Sequence, residues 1–181
     1  MTRDDFGKLI DGGIGVEVGV SQGFYSTTLL EKTNLKLLFS IDSWSEGNHN
    51  LDQYREASRY LEEAGANRSV IVMLPSNEAV KLFADNAFDF IYIDAYAHTG
   101  QNNGEILNEW YPKLKKGGLF AGHDYHKDHW PNTVKAVDRF IKENDLELNL
   151  TDEENIQVVE PGVGEISNNQ LYPSWYIYKP I

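Results

Sequence analysis

The 181-residue chain contains no cysteine. Disulfides, thiolate catalysis and thiolate metal sites are excluded together, so any metal would be held by carboxylate, imidazole or water. A basic surface is missing too: the formal net charge is −12, with acids spread along the whole chain. Such a chain offers no stripe able to displace counterions from a polyanion, so neither nucleic acid nor anionic lipid is an expected partner. No apolar run approaches the roughly 20 residues that span a bilayer. The opening MTRDDFGKLI lacks the apolar core of a signal peptide, and a cytoplasmic protein is expected. Low-complexity stretches, internal repeats and linkers are absent, which leaves one domain over residues 1–181; at 41% apolar residues it can build a proper core.

What is there is a regular alternation. Apolar runs of strand length lie at Ile14 to Val18, Leu37 to Ile41, Val70 to Leu74, Phe88 to Ile93 and Gly118 to Ala121. Between and after them, Phe24 to Lys32, Leu51 to Ala64, Asn77 to Ala84, Asn103 to Leu114 and Asn132 to Glu143 scan as amphipathic helices. Gly65 closes one helix, Lys115 and Lys116 before Gly117 and Gly118 close another, and Pro131 with Asn132 starts the next. Uninterrupted β-α-β-α order predicts an α/β fold with a doubly wound, mostly parallel sheet. After Asn144 the runs Ile156 to Glu160 and Leu171 to Lys179 flank a PGVG turn and predict a terminal antiparallel strand pair. The polar connection Ser43 to Asn50 is long enough for a binding loop.

The stretch GVEVGVSQGFYS (Gly15 to Ser26) reads as a strand, a glycine turn and a helix start. Such a turn turns free N–H groups and the positive end of the helix toward the carboxyl edge of the sheet, where carboxylate-bearing ligands gain. It is not a dinucleotide fingerprint, because G-x-G-x-x-G does not span the turn, and no lysine follows Gly23 as a phosphate-cradling loop requires. In the second half, Asp94 and His98 follow the fourth strand, and His123 and Asp124 follow the fifth. In a doubly wound sheet these ends open onto the same crevice as the glycine turn. Asp94, His123 and Asp124 can supply oxygen and imidazole ligands to an octahedral divalent ion, best Mg²⁺ or Mn²⁺. Asp124 could equally cap its turn and His123 could be a core histidine; an aspartate ending a buried apolar strand, as Asp94 does, is costly unless something pairs with it.

Glu17 followed by G-x-x-x-G (Gly19 to Gly23) resembles the first motif of class I S-adenosylmethionine-dependent methyltransferases, where the glycine turn lies against the methionine part of the cofactor. The motifs I-D-A-x-x-H (Ile93 to His98), W-x-P-x-L-x-x-G-G (Trp110 to Gly118) and H-D-Y (His123 to Tyr125) resemble small members related to macrocin-type sugar O-methyltransferases. The resemblance covers Gly15 to about Phe140 and implies a Rossmann-like seven-stranded methyltransferase fold. It implies cofactor contacts from Glu17, Gly19, Gly23, Asp94 and Ser26, with Asp42 on the ribose and Trp44 and Ser76 at the adenine. Related enzymes place the serine one residue earlier than Ser26, and which hydroxyl meets the cofactor carboxylate is open. Metal-dependent relatives bind Mg²⁺ through carboxylates at the positions of Asp94 and Asp124; the residue before Asp124, often acidic in them, is His123 here.

Methyl transfer to a hydroxyl needs a poor nucleophile to be deprotonated and aimed at the sulfonium methyl. Asp94, His123 and Asp124 would hold the ion, with His98 the first choice of general base and His123 the second. The expected partner is a small-molecule or glycan hydroxyl acceptor, and the preference for a sugar over a catechol rests on the resemblance alone. Self-association into a homo-oligomer is left open. A metal-dependent hydrolase or hydroxylase and a non-catalytic cofactor-binding module are the alternatives.

Overall fold

A computed structural model describes residues 1–45, 50–95, 100–152, 154–155, 158–159, 166–167 and 170–181. The first five strands are β1 (Ile14–Val18), β2 (Leu37–Asp42), β3 (Ser69–Met73), β4 (Phe88–Ile93) and β5 (Leu114–Gly122). They alternate with α1 (Phe24–Lys32), α2 (Leu51–Gly65), α3 (Ser76–Ala79) and α4 (Glu105–Trp110), and α5 (Pro131–Glu143) follows. Then come β6 (Asn149–Leu150), β7 (Glu154–Asn155), β8 (Val158–Val159), β9 (Ile166–Ser167), β10 (Gln170–Leu171) and β11 (Trp175–Tyr178). The main sheet has seven strands in the order β3-β2-β1-β4-β5-β11-β6. β1 to β5 run parallel, and β11 lies antiparallel between β5 and β6.

The apolar runs of β1, β2, β4 and β5 form inner strands covered on both faces, whereas β3 stands at the sheet edge with Val70 and Met73 exposed. In β4, Phe90 and Tyr92 pack with Leu29 and Leu30 of α1 and Leu61 of α2, whereas Ile91 and Ile93 pack with Leu107 and Trp110 of α4 and Phe140 of α5. That is the period-2 alternation of a strand dividing two helical layers. α2 starts at Asn50, whose side chain accepts from the N–H groups of Asp52 and Gln53, and Gln53 completes a capping box. α5 opens on Pro131 and buries Thr133, Val134, Ala136, Val137 and Phe140 along one face.

Two expectations are corrected. The strand paired with β11 on its outer side is Asn149–Leu150, not Ile156 to Glu160; β8 pairs with β9 instead, and β10 with β7. The PGVG turn lies outside the described residues. Lys115 and Lys116 do not end a helix: β5 already begins at Leu114, and Lys115 Nζ pairs with Asp89 Oδ2 at 2.7 Å. The N-terminal stretch adds an element that the sequence reading did not include. Arg3–Lys8 forms a 3₁₀ segment anchored by the fully buried Phe6, which packs edge-on against Phe90, Tyr92 and Tyr176.

Candidate active site

Strand register builds the site. Val18 stands opposite Ile41 on one side and Ile93 on the other, and Ile93 stands opposite Gly122. The next residue of each strand therefore falls on one edge: Gly19 N–H donates to Ile41 O (2.8 Å), Asp94 N–H to Val18 O (2.7 Å) and His123 N–H to Ile93 O (3.0 Å). Above that edge opens a cleft of about 420 Å³, lined by Glu17, the turn from Gly19 to Gln22, Phe24, Tyr25, Asp94, Ala95, Asp124, Trp130 and Arg3.

The glycine turn is held close to the end of β4. Gly19 has φ +93°, and a Cβ there would lie 2.3 Å from Asp94 O. Gly23, at φ +86°, caps α1 against Ala57 and Leu61 of α2. Asp42 supplies the clamp on this turn: Oδ2 accepts from the N–H groups of Val20 and Ser21, and Oδ1 from that of Trp44, each at 2.9 Å. Asp42 thus has a backbone role in the turn, and removing its carboxylate cannot be neutral for folding. Asp42→Ala is expected to destabilise the protein by about 2–4 kcal/mol, because buried N–H groups lose a charged acceptor. Thermal unfolding beside Asp42→Asn, which keeps one acceptor oxygen, checks this; an unchanged midpoint in Asp42→Ala would refute the clamp.

Several side chains expected on the cofactor have hydrogen-bonding partners within the protein. Trp44 is 3% exposed; its Nε1 donates to Ser21 O at 2.8 Å and its ring meets Tyr54 edge-on, so it anchors the loop in the core rather than offering a face to an adenine. Ser26 is fully buried, with its hydroxyl donating to Glu17 Oε2 and sharing a 2.8 Å bond with Ser40 Oγ, and it does not reach the cleft. Ser76 Oγ accepts from Trp110 Nε1 at 2.9 Å. His98 lies outside the described residues.

Glu17 is 1% exposed but borders the cleft. Burial pushes its carboxyl up to about 8, with the Ser26 hydrogen bond opposing and the nearby Asp94 charge adding to the rise. Between the ordinary value of 4.5 and about 8 the folded chain keeps a proton that the unfolded chain has released. This contribution therefore favours the fold most at low pH and weakens as pH rises through that window. From pH 6 to pH 8 the ligand-free protein is expected to lose stability, relative to Glu17→Gln, by on the order of 1 kcal/mol per pH unit. Parallel denaturation curves of the two proteins across this range would expose an unperturbed Glu17.

Asp94, His123 and Asp124 come together as expected, with one candidate ligand atom from each lying within 4.8 Å of the others. His123 Nδ1 sits 2.9 Å from Asp124 Oδ1 and 3.5 Å from Asp94 Oδ1. Asp124 is in the left-handed region at φ +61°, and the next residue fixes the turn, Tyr125 donating its hydroxyl to Asp138 Oδ1 at 2.6 Å. His123 is not among the residues lining the cleft, and its Nε2 is buried without a partner. Its Nδ1 faces the two carboxylates, which groups it with them as a candidate ligand and away from an acceptor in the cleft. Arg3 escaped sequence reasoning, since nothing in the spacing of MTRDDF points toward strand ends near residue 94. Its Nη1 lies 3.4 Å from Asp94 Oδ2, and its guanidinium lies over the Tyr25 ring at 4.6 Å.

A doubly wound sheet closed by an antiparallel C-terminal strand, with a glycine turn and acidic strand ends around one cleft, defines a class I methyltransferase-type α/β protein. The chain belongs to the methyltransferase-domain family, whose model matches residues 16–125, and S-adenosylmethionine is the cofactor of that class. No curated protein sequence matches it. Among solved structures it is similar to an rRNA methylase from Streptococcus thermophilus (14% identity, TM-score 0.67, covering 98% of this chain and 94% of that one). It is also similar to an S-adenosylmethionine-dependent O-methyltransferase from Thermotoga maritima (14%, 0.66, 98% and 63%). Spermidine synthase from the same organism is similar as well (18%, 0.68, 99% and 58%). At such identities the likeness is one of fold. Among the described residues no helix is long and apolar enough to cross a membrane.

Proposed function

We propose that this methyltransferase transfers the methyl group of S-adenosylmethionine to a hydroxyl of a sugar or another polar hydroxyl compound, with a divalent ion held by Asp94, His123 and Asp124. The observation that carries this reading is the convergence of two carboxylates and one imidazole within 4.8 Å, beside the glycine turn. Hard oxygen donors with one imidazole nitrogen suit Mg²⁺ or Mn²⁺. Bound there, such an ion would lower the pKa of the acceptor hydroxyl.

The chain's own groups do the remaining work. The acids Glu17 and Asp94 on the cleft wall suit the positive charges of the cofactor, and approach of its ammonium group would draw the proton off Glu17. Asp42 orders the turn beneath the cofactor, and His98 is proposed as the group that removes the acceptor proton. The sugar preference is supported by the resemblance carried by I-D-A-x-x-H, W-x-P-x-L-x-x-G-G and H-D-Y. A nucleic-acid acceptor is disfavoured by the net charge of −12.

Calorimetry with S-adenosylhomocysteine, with and without Mg²⁺, tests the cofactor and the ion. Transfer of a labelled methyl group to a panel of sugars and catechols tests the acceptor. Absence of cofactor binding would remove the reading altogether, and transfer to catechols alone would remove the sugar.

A further inference from the structure

S-Adenosylmethionine brings three charges into the cleft: a sulfonium, an ammonium and a carboxylate. Glu17, Asp94 and Asp124 can answer the two cations, but they repel the carboxylate. Ser26, the hydroxyl expected for that group, is buried on Glu17 and Ser40, and the Tyr25 hydroxyl donates to Arg3 O at 3.1 Å. Among the described lining residues Arg3 is the only cation.

Arg3 is also held ready. Phe6 pins its segment to the sheet, and the Tyr25 ring supports the guanidinium at 4.6 Å. Its 3.4 Å approach to Asp94 Oδ2 is longer than a well-formed charge-assisted bond of about 2.7–2.9 Å. Tyr92 is a further hydrogen-bonding partner. A guanidinium offers a fork of five donors, so one that meets Asp94 and Tyr92 still has N–H groups to present to a carboxylate beside the glycine turn.

We infer that Arg3 binds the α-carboxylate of S-adenosylmethionine, making the N-terminal 3₁₀ segment a wall of the cofactor site. The inference rests on S-adenosylmethionine being the cofactor. It accounts for how a cleft rich in acids accepts a zwitterionic amino-acid moiety.

The test compares S-adenosylhomocysteine with its decarboxylated analogue, which keeps the amine, by calorimetry on the wild-type chain, Arg3→Ala and Arg3→Lys. The wild type is expected to bind the analogue at least ~10-fold more weakly. Arg3→Ala should lose about 10- to 100-fold for S-adenosylhomocysteine and stay within about twofold for the analogue, with Arg3→Lys between. Equal wild-type affinity for the two ligands overturns the inference without recourse to any variant. So does an Arg3→Ala that weakens both ligands alike, or neither. A wild type that binds neither ligand overturns the cofactor reading itself and this inference with it.

Discussion

Chelation is expected to lower methyl transfer by at least about 10²-fold while leaving S-adenosylhomocysteine affinity within about threefold. The two effects separate because Asp94, His123 and Asp124 gather just past the ends of β4 and β5, whereas the glycine turn is ordered by Asp42 at the end of β2. Mg²⁺ or Mn²⁺ should restore the rate. Asp124→Asn should imitate the chelator: asparagine tolerates the left-handed backbone at φ +61° but brings no charge to the ion. Asp124→Ala adds backbone strain and reads less cleanly. A chelated enzyme that works at full rate would dismiss the ion and hand proton removal to a side chain acting alone, with a cleft carboxylate then as good a candidate as His98.

Gly19→Ala is expected to be the most damaging single substitution in the turn. Its Cβ would lie 2.3 Å from Asp94 O and 2.4 Å from Ala95 N and Cα, all backbone atoms that no rotamer change can move. Alanine would also have to hold φ +93°. Backbone strain and steric overlap of this kind together cost about 3–6 kcal/mol, enough to unfold many domains. Gly117→Ala is the matched control, since φ is +75° there but the nearest atom is Ile181 Cγ1 at 4.0 Å, and only about 1 kcal/mol should be lost. Similar unfolding midpoints for the two variants would show that the turn and the end of β4 can move apart.

The parallel strands could be read from the sequence because they are continuous apolar runs, and the positions of Gly19, Asp94 and Asp124 followed from where those strands end. Side-chain direction could not. Asp42, Trp44, Ser26 and Ser76 stand where the motif puts them, yet each has a hydrogen-bonding partner inside the protein that spacing does not reveal. β6 has two residues and gains its place by pairing with β11, so no local pattern announces it. Arg3 meets Asp94 across 91 positions of chain, a contact made by the burial of Phe6 and not by any motif.

Trp130 gives the molecule an optical reporter. Of the four tryptophans, Trp44, Trp110 and Trp175 are at most 3% exposed and sit in the core. Trp130 lines the cleft, with its indole N–H buried and lacking a partner. Filling the cleft changes the surroundings of this ring most directly, so occupancy should be readable from native emission, on stopped-flow timescales and without a label.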